Sequence, residues 1–345
     1  MYISLLPLRL IVALLAFATS AIAFEVEESR RFGGETDQTL KIISTTDTDL
    51  LAPLINSFLT LHPGASIDYT TVSSAELMKA IMLEGQQFDL AISSAMDLQI
   101  KLANDGFTQA HRSNAVELIP VWGNWRNHVF AFSQEPASVV ISPAAFDGLE
   151  IPRSRQELIT LLRRYPDRFR GRIGTYDVST SGLGYLFATQ DARTSESYWR
   201  LMEIMGGLKI KLFCCSGDMI ENVAQGEIAV AYNVLGSYAR ARKDVANRIE
   251  IIEPEDYTNM MLRTAVVLQT TQEPELAGDF IDYLLRAAWG EPAMPEYPFQ
   301  RYPTNNSAQA APFRPIQLGP GLLVFLDHLK RKRFLAEWHS TVRQN

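Results

Sequence analysis

Histidine and cysteine are scarce in this chain, five and two among 345 residues, and the two cysteines are neighbours, Cys214 and Cys215. His62, His111, His128, His328 and His339 have no paired spacing, so no His-Glu-x-x-His helix can be assembled from them. Gly-x-Ser-x-Gly and Gly-x-Gly-x-x-Gly are missing as well, and with them the nucleophile elbow and the dinucleotide fingerprint. The sequence therefore nominates no catalytic residue, no metal and no cofactor. An excess of positive charge is also lacking. With 32 basic and 39 acidic residues the formal net charge is −7, which argues against nucleic acid or an anionic membrane as the main partner. The one basic block, Lys330-Arg331-Lys332-Arg333, reads as a solvated helix face. For the cysteines, neighbouring Cα atoms about 3.8 Å apart fall below the usual disulfide range. The pair is either a strained vicinal disulfide or two small apolar residues that finish a strand.

Long apolar runs are confined to the first residues, MYISLLPLRLIVALLAFATSAIA. Arg9, the apolar centre LIVALLAF and the small-x-small Ala21-Ile22-Ala23 make residues 1–23 an expected cleaved signal peptide. The uncharged stretch is shorter than the ~20 residues that cross a bilayer. A periplasmic location and a monomer are expected. About two domains fit in what remains.

What is present is a repeated pattern. TLKIIS (39–44), SIDYTTV (66–72) and FDLAIS (88–93) each end in hydroxyl residues and lead into an amphipathic helix. Ser73-Ser74-Ala75-Glu76 and Ser154-Arg155-Gln156-Glu157 are capping boxes. A second series runs through RIGTYD (172–177), KIKLFC (209–214), EIAVAYN (227–233) and RIEIIEP (248–254). Alternation at this spacing gives right-handed βαβ units. MMLRTAVVLQ (260–269) and the helix at 275–289 read as a return to the first domain. The expected organisation is α/β in two lobes, 38–134 plus 255–345 and then 135–254. Each lobe would be a mainly parallel sheet flanked by helices, hinged by crossover strands.

Ligands of open parallel sheets bind beyond the carboxyl ends of the strands, where helix N-termini favour anions. The junction residues there are Thr45, Thr46 and Asp47; Ser73 and Ser74; Ser93 and Ser94; Ser179, Thr180, Ser181 and Gly182; and Ser216. Each alone is an ordinary helix cap; their recurrence over two lobes suggests a shared anion pocket. Trp122, beside Asn124 and Trp125, is a candidate cleft wall with core packing as its equal rival.

FDLAISSAMDL, TYDVSTSGLGY and GEIAVAYNVLGSYA resemble the periplasmic solute-binding proteins of the ferric-iron, phosphonate and sugar-phosphate class. LGPGLLVFLDHLKRKRFLAEW looks like the branch that accompanies a sensor kinase in phosphoglycerate transport. The resemblance implies a type II two-lobe fold with a ligand in the cleft. It also implies delivery to a membrane permease or to the periplasmic domain of a sensor histidine kinase. The iron carriers of that class use consecutive tyrosines, whereas Tyr232 is followed here by Asn233, and the next tyrosine is Tyr238. Tyr232 and Asn233 are expected to face the cleft at the strand end and Tyr238 to pack. A small phosphorylated or carboxylated organic anion is the expected solute. Ferric iron is the alternative, and an enzyme on the same fold is the alternative of another class.

Overall fold

The computed structural model describes residues 24–303 and 312–343, so the expected signal peptide lies outside the described residues. Strand Gln38–Ser44 pairs in parallel with Ala65–Thr71 on one side and Leu90–Ser93 on the other. The intervening helices Thr48–Leu61 and Ser74–Met78 make the crossovers between these parallel strands. Parallel pairing stops there. The sheet is completed by antiparallel neighbours, Glu28–Phe32 at one edge and Thr264–Leu268, Val129–Ala131 and Asn124–Trp125 at the other. The second sheet repeats the design. Ile173–Tyr176 lies in parallel between Lys211–Phe213 and Val230–Leu235, and Glu135–Ile141 closes it antiparallel.

Two strand-to-strand links among the described residues carry the chain between the sheets. Val129–Ala131 belongs to the first sheet and Glu135–Ile141 to the second. The apolar run at 260–269 divides at Arg263: Thr258–Met261 pairs with the second sheet, and Thr264–Leu268 pairs with the first. A guanidinium in the middle of an apolar run thus marks the second crossing. The amide of Phe132 donates to the Arg263 carbonyl and ties the two crossings together.

Each lobe has its own apolar layer. Leu51, Leu54, Phe58 and Phe280 are packed in the first, and Leu158, Phe169, Tyr198 and Met202 in the second. A third layer joins them through Met96, Leu183, Met261 and Leu262. The C-terminal segment departs from the expected assignment of 255–345 to the first lobe. Phe313–Pro315 pairs with Thr258–Met261 in the second sheet. The helix His328–Val342 then buries Phe334, Trp338 and Val342 among second-lobe side chains. Its apolar positions at intervals of four form one stripe, and that stripe is the face the helix buries. Cys214 and Cys215 form a vicinal disulfide. Among the described residues no helix is long and apolar enough to cross a membrane.

Candidate functional site

The strand-end junctions converge where the lobes touch. Gly182 opens the helix Gly182–Thr194, and Ser181 caps it by accepting from the Gly184 amide at 3.1 Å. A Cβ placed on Gly182 would lie 2.9 Å from the Cβ of Ser74 and 3.5 Å from that of Ala95. Three helix starts therefore meet at one point, two from the first lobe and one from the second. Beside them lies a pocket of about 350 Å³. Ser74, Asp97 and Lys101 line it from the first lobe, and Ser179, Thr180, Ser181, Gly182 and Tyr185 from the second. Ser73, next to this wall, caps the Ser74–Met78 helix by accepting from the Glu76 amide at 3.2 Å. Beyond Met78 the chain continues as a π-helix, Lys79–Leu83, which turns Met82 and Lys79 into the pocket.

The walls are apolar with a cationic rim. Lys79 is 3.4 Å from Glu76 and 3.7 Å from Glu84, and Lys101 is paired with Asp105 at 2.5 Å. Arg331 comes from the C-terminal helix, its guanidinium 5.0 Å from the centre of the Tyr185 ring. Asp97 faces the same space. Burial pushes its carboxyl up to about 7, against the opposing pull of its backbone donors and of Arg331. Sequence reasoning missed Asp97, Tyr185, Lys79, Lys101 and Arg331. The basic block reads as a solvated face, and the sequence carries no signal for the true position of Arg331 because the lobe that receives its helix is set by tertiary packing.

A second buried group sits at the crossings. Arg263 donates from Nη1 to Thr46 Oγ1 at 2.6 Å and engages both oxygens of Glu135. Ser237, in the second lobe, donates to Glu135 in turn. Thr46 is thereby occupied by a protein partner. Asp47, exposed at the start of helix Thr48–Leu61, meets the Tyr238 hydroxyl across the lobe boundary. Thr45, Ser93 and Ser94 form a local chain within the first lobe: Thr45 Oγ1 donates to Ser93 Oγ, and the Ser94 amide donates to Thr45 Oγ1, both at 3.2 Å.

Four expected site residues lie elsewhere. Tyr232 and Asn233 occupy a β-bulge, where the register with Glu135–Ile141 shifts and Asn233 takes φ 63°. The bulge turns both side chains into the second lobe. Tyr232 donates to Asp191 Oδ2 at 2.7 Å and accepts from Arg155 Nε at 2.7 Å, and Asn233 donates to the same Asp191 oxygen at 2.9 Å. The expectation is thus overturned for Tyr232 and Asn233, whereas Tyr238 packs against the core as expected and meets Asp47 at the lobe boundary. Ser216 spends its hydroxyl on Tyr176 at 2.5 Å and on the Leu235 amide at 3.1 Å. Trp122 lies edge-on to Trp289, 5.7 Å between ring centres, with its carbonyl holding the Leu318 amide. It is packing for the C-terminal segment rather than a cleft wall.

Residues 40–291 match the bacterial extracellular solute-binding protein family. The chain belongs to that family. The substrate-binding protein of an ABC transporter from Agrobacterium tumefaciens is similar over 92% of this chain and 98% of its own, with 31% identity and a TM-score of 0.82. The periplasmic binding protein AfuA of Actinobacillus pleuropneumoniae, solved with fructose-6-phosphate, shares the fold at a TM-score of 0.70 and 16% identity, covering 90% and 100% of the two chains. Iron-bound HitA from Pseudomonas aeruginosa does so at 0.65 and 16%, covering 88% and 99%. A search of the curated proteins finds no match in sequence. The expected two-lobe type II architecture is therefore the fold of this solute-binding protein.

Proposed function

We propose that this protein captures a small organic anion, phosphorylated or carboxylated, in the periplasm and delivers it to an ABC permease. The observation that carries this reading is the meeting of Ser74 with Ser179–Gly182 across a pocket that Lys79, Lys101 and Arg331 also line. The 13-residue helix Gly182–Thr194 starts at that space, where the positive end of its dipole favours an anion. Charge-assisted hydrogen bonds contribute about 1.5–3 kcal/mol each, so three or four support micromolar affinity after desolvation. The ligand favours the closed form by touching both lobes at once.

Ferric iron is less well supported. Tyr232 is committed to Arg155 and Asp191, and among the described residues the one candidate metal cluster is the exposed Cys214, Cys215 and Asp218. Its sulfurs are bonded to each other. Presentation to a sensor kinase rests on the C-terminal resemblance, and that segment has a role within the binding protein itself as a wall of the pocket. The test is a thermal-shift screen of organic phosphates and carboxylates, followed by calorimetry on Ser181→Ala. The reading requires at least one anion to raise Tm, and the variant to bind it about tenfold more weakly or worse. Shifts produced only by cations or neutral solutes would overturn it.

A further inference from the structure

The family match ends at residue 291, yet two lining residues of the pocket, Leu326 and Arg331, come from beyond it. They are held in place by a built anchor. The Tyr185 hydroxyl donates to the Phe325 carbonyl at 2.6 Å, and Trp338 Nε1 donates to the Tyr198 hydroxyl at 3.1 Å. Gly206 admits the helix at close range, since a Cβ there would lie 2.6 Å from the Thr341 carbonyl oxygen. His339, further along the same helix, bonds Ser179 at 3.0 Å. The helix therefore touches the hydroxyl loop of the site at one end and presents Arg331 to the pocket at the other.

Arg331 differs from the other two cations that line the pocket. Lys79 and Lys101 have carboxylate partners within 4 Å, whereas no carboxylate among the described residues makes an ion pair with Arg331. The acidic group that shares the pocket with it is Asp97, a carboxyl whose burial already favours the neutral form. The guanidinium rides on the second lobe and faces lysines carried by the first. Closing the lobes sets that guanidinium over an apolar space, and an anion placed there supplies the partner that Lys79 and Lys101 already have. The remaining walls, Met78, Met82, Leu98 and Leu326, offer no hydrogen bonds and suit hydrocarbon. A volume of about 350 Å³ is at the small end of organic ligand sites.

We infer that the C-terminal helix supplies the solute's counter-charge through Arg331, and that the solute is an organic anion with an apolar body lying against Met82 and Leu326. This deepens the proposed function and rests on it. The experiment is calorimetry with inorganic phosphate, n-alkyl phosphates and n-alkyl carboxylates of two to eight carbons, and the matching neutral alcohols. For the wild-type chain, affinity for the anions is expected to rise severalfold with each added methylene until the pocket is full. Arg331→Gln, with unchanged circular dichroism, is expected to weaken the anions at least tenfold and to leave the alcohols unaffected. Leu326→Asn should flatten the dependence on chain length.

Wild-type-like anion binding by Arg331→Gln, with weakened binding by Ser181→Ala, would overturn the role of Arg331 while the anion reading stands. Wild-type-like binding by both variants would sink the two together. Inorganic phosphate binding as tightly as its longest bound ester would overturn the apolar body, and so would the failure of every member of the series to bind. Arg331→Lys provides a second check, because a point charge without the planar fork should recover part of the lost anion affinity.

Discussion

Arg263 and Glu135 face each other fully buried, Nε to Oε1 and Nη2 to Oε2, both at 3.0 Å, at the place where the chain crosses between its lobes. Thr46 accepts from the outer side of the arginine, and Ser237 donates to the outer side of the carboxylate. The chain of contacts Thr46–Arg263–Glu135–Ser237 thus runs from one lobe to the other through a bidentate ion pair. A pair of this kind adds little net stability relative to apolar residues of equal volume, but removing one partner strands a buried charge. It fixes how the two crossings sit against each other.

Arg263→Met is therefore expected to cost about 3–5 kcal/mol of unfolding free energy, since Glu135 remains buried and charged. The double variant Arg263→Met with Glu135→Gln should lose less than the single one. Urea denaturation of the three chains gives the comparison. A double variant less stable than Arg263→Met would show that the ion pair is not what the arginine supplies.

Burial acts on Asp97 in the opposite sense from a salt bridge. Its carboxyl is raised from 3.8 to about 7 in the folded chain, so the folded state holds this proton more tightly than the unfolded state does. The stabilising contribution is full below pH 4 and is lost as the pH rises through about 7. A rise of that size corresponds to something on the order of 4 kcal/mol. Lys79, Lys101, Arg331 and the Tyr185 hydroxyl are the other titratable groups that line that pocket. Asp97→Asn should remove the pH dependence between 5 and 8 and raise Tm at pH 8. Parallel Tm profiles of the two proteins over that range would refute the assignment.

Much of the architecture could be read from the sequence because it is written locally. Ser73 and Ser154 accept from the Glu76 and Glu157 amides, as their capping boxes require. Strand Gln38–Ser44 ends at the predicted junction. What could not be read depends on partners far along the chain. Periodicity gives Tyr232 a cleft-facing place, but a one-residue bulge and a carboxylate 41 residues away decide its direction. Arg331 follows the same logic, since the lobe that receives its helix is chosen by Gly206 and Tyr198, which no local pattern connects to it. Arg263 does carry a signal: a lone cation within MMLRTAVVL marks either an error of assignment or a buried partner.

The Asp191 network supplies a test that separates structure from site. Asp191 accepts from Tyr232, Asn233 and Asn259 and lies 3.5 Å from Arg155. Tyr232→Phe leaves Arg155 Nε without its acceptor and is expected to cost about 1–3 kcal/mol. Ligand affinity should be unchanged, because this group does not reach the pocket. Addition of ferric citrate to either protein should give no visible phenolate-to-iron band. A strong band in the wild type that disappears in Tyr232→Phe would restore the iron reading.

Gly182 connects packing to ligand capture. The Cβ of alanine at this position would sit 2.9 Å from the Cβ of Ser74 and 3.0 Å from its Oγ, closer than such atoms approach. The two belong to different lobes, so strain from the added methyl can be relieved by parting the lobes rather than by disturbing either core. Gly182→Ala is expected to keep its Tm within a few degrees and to show a larger radius of gyration in solution scattering. Its affinity for the solute should fall at least tenfold, since a ligand held by both lobes then works against the separation. Ser74→Gly removes the opposing atoms while leaving the Ser73 cap intact. In the Gly182→Ala background it should bring the radius of gyration back to that of the wild type. Affinity should recover only in part, because Ser74 itself lines the pocket. An unchanged radius in Gly182→Ala would mean that the clash is absorbed within one lobe and that this contact does not govern closure.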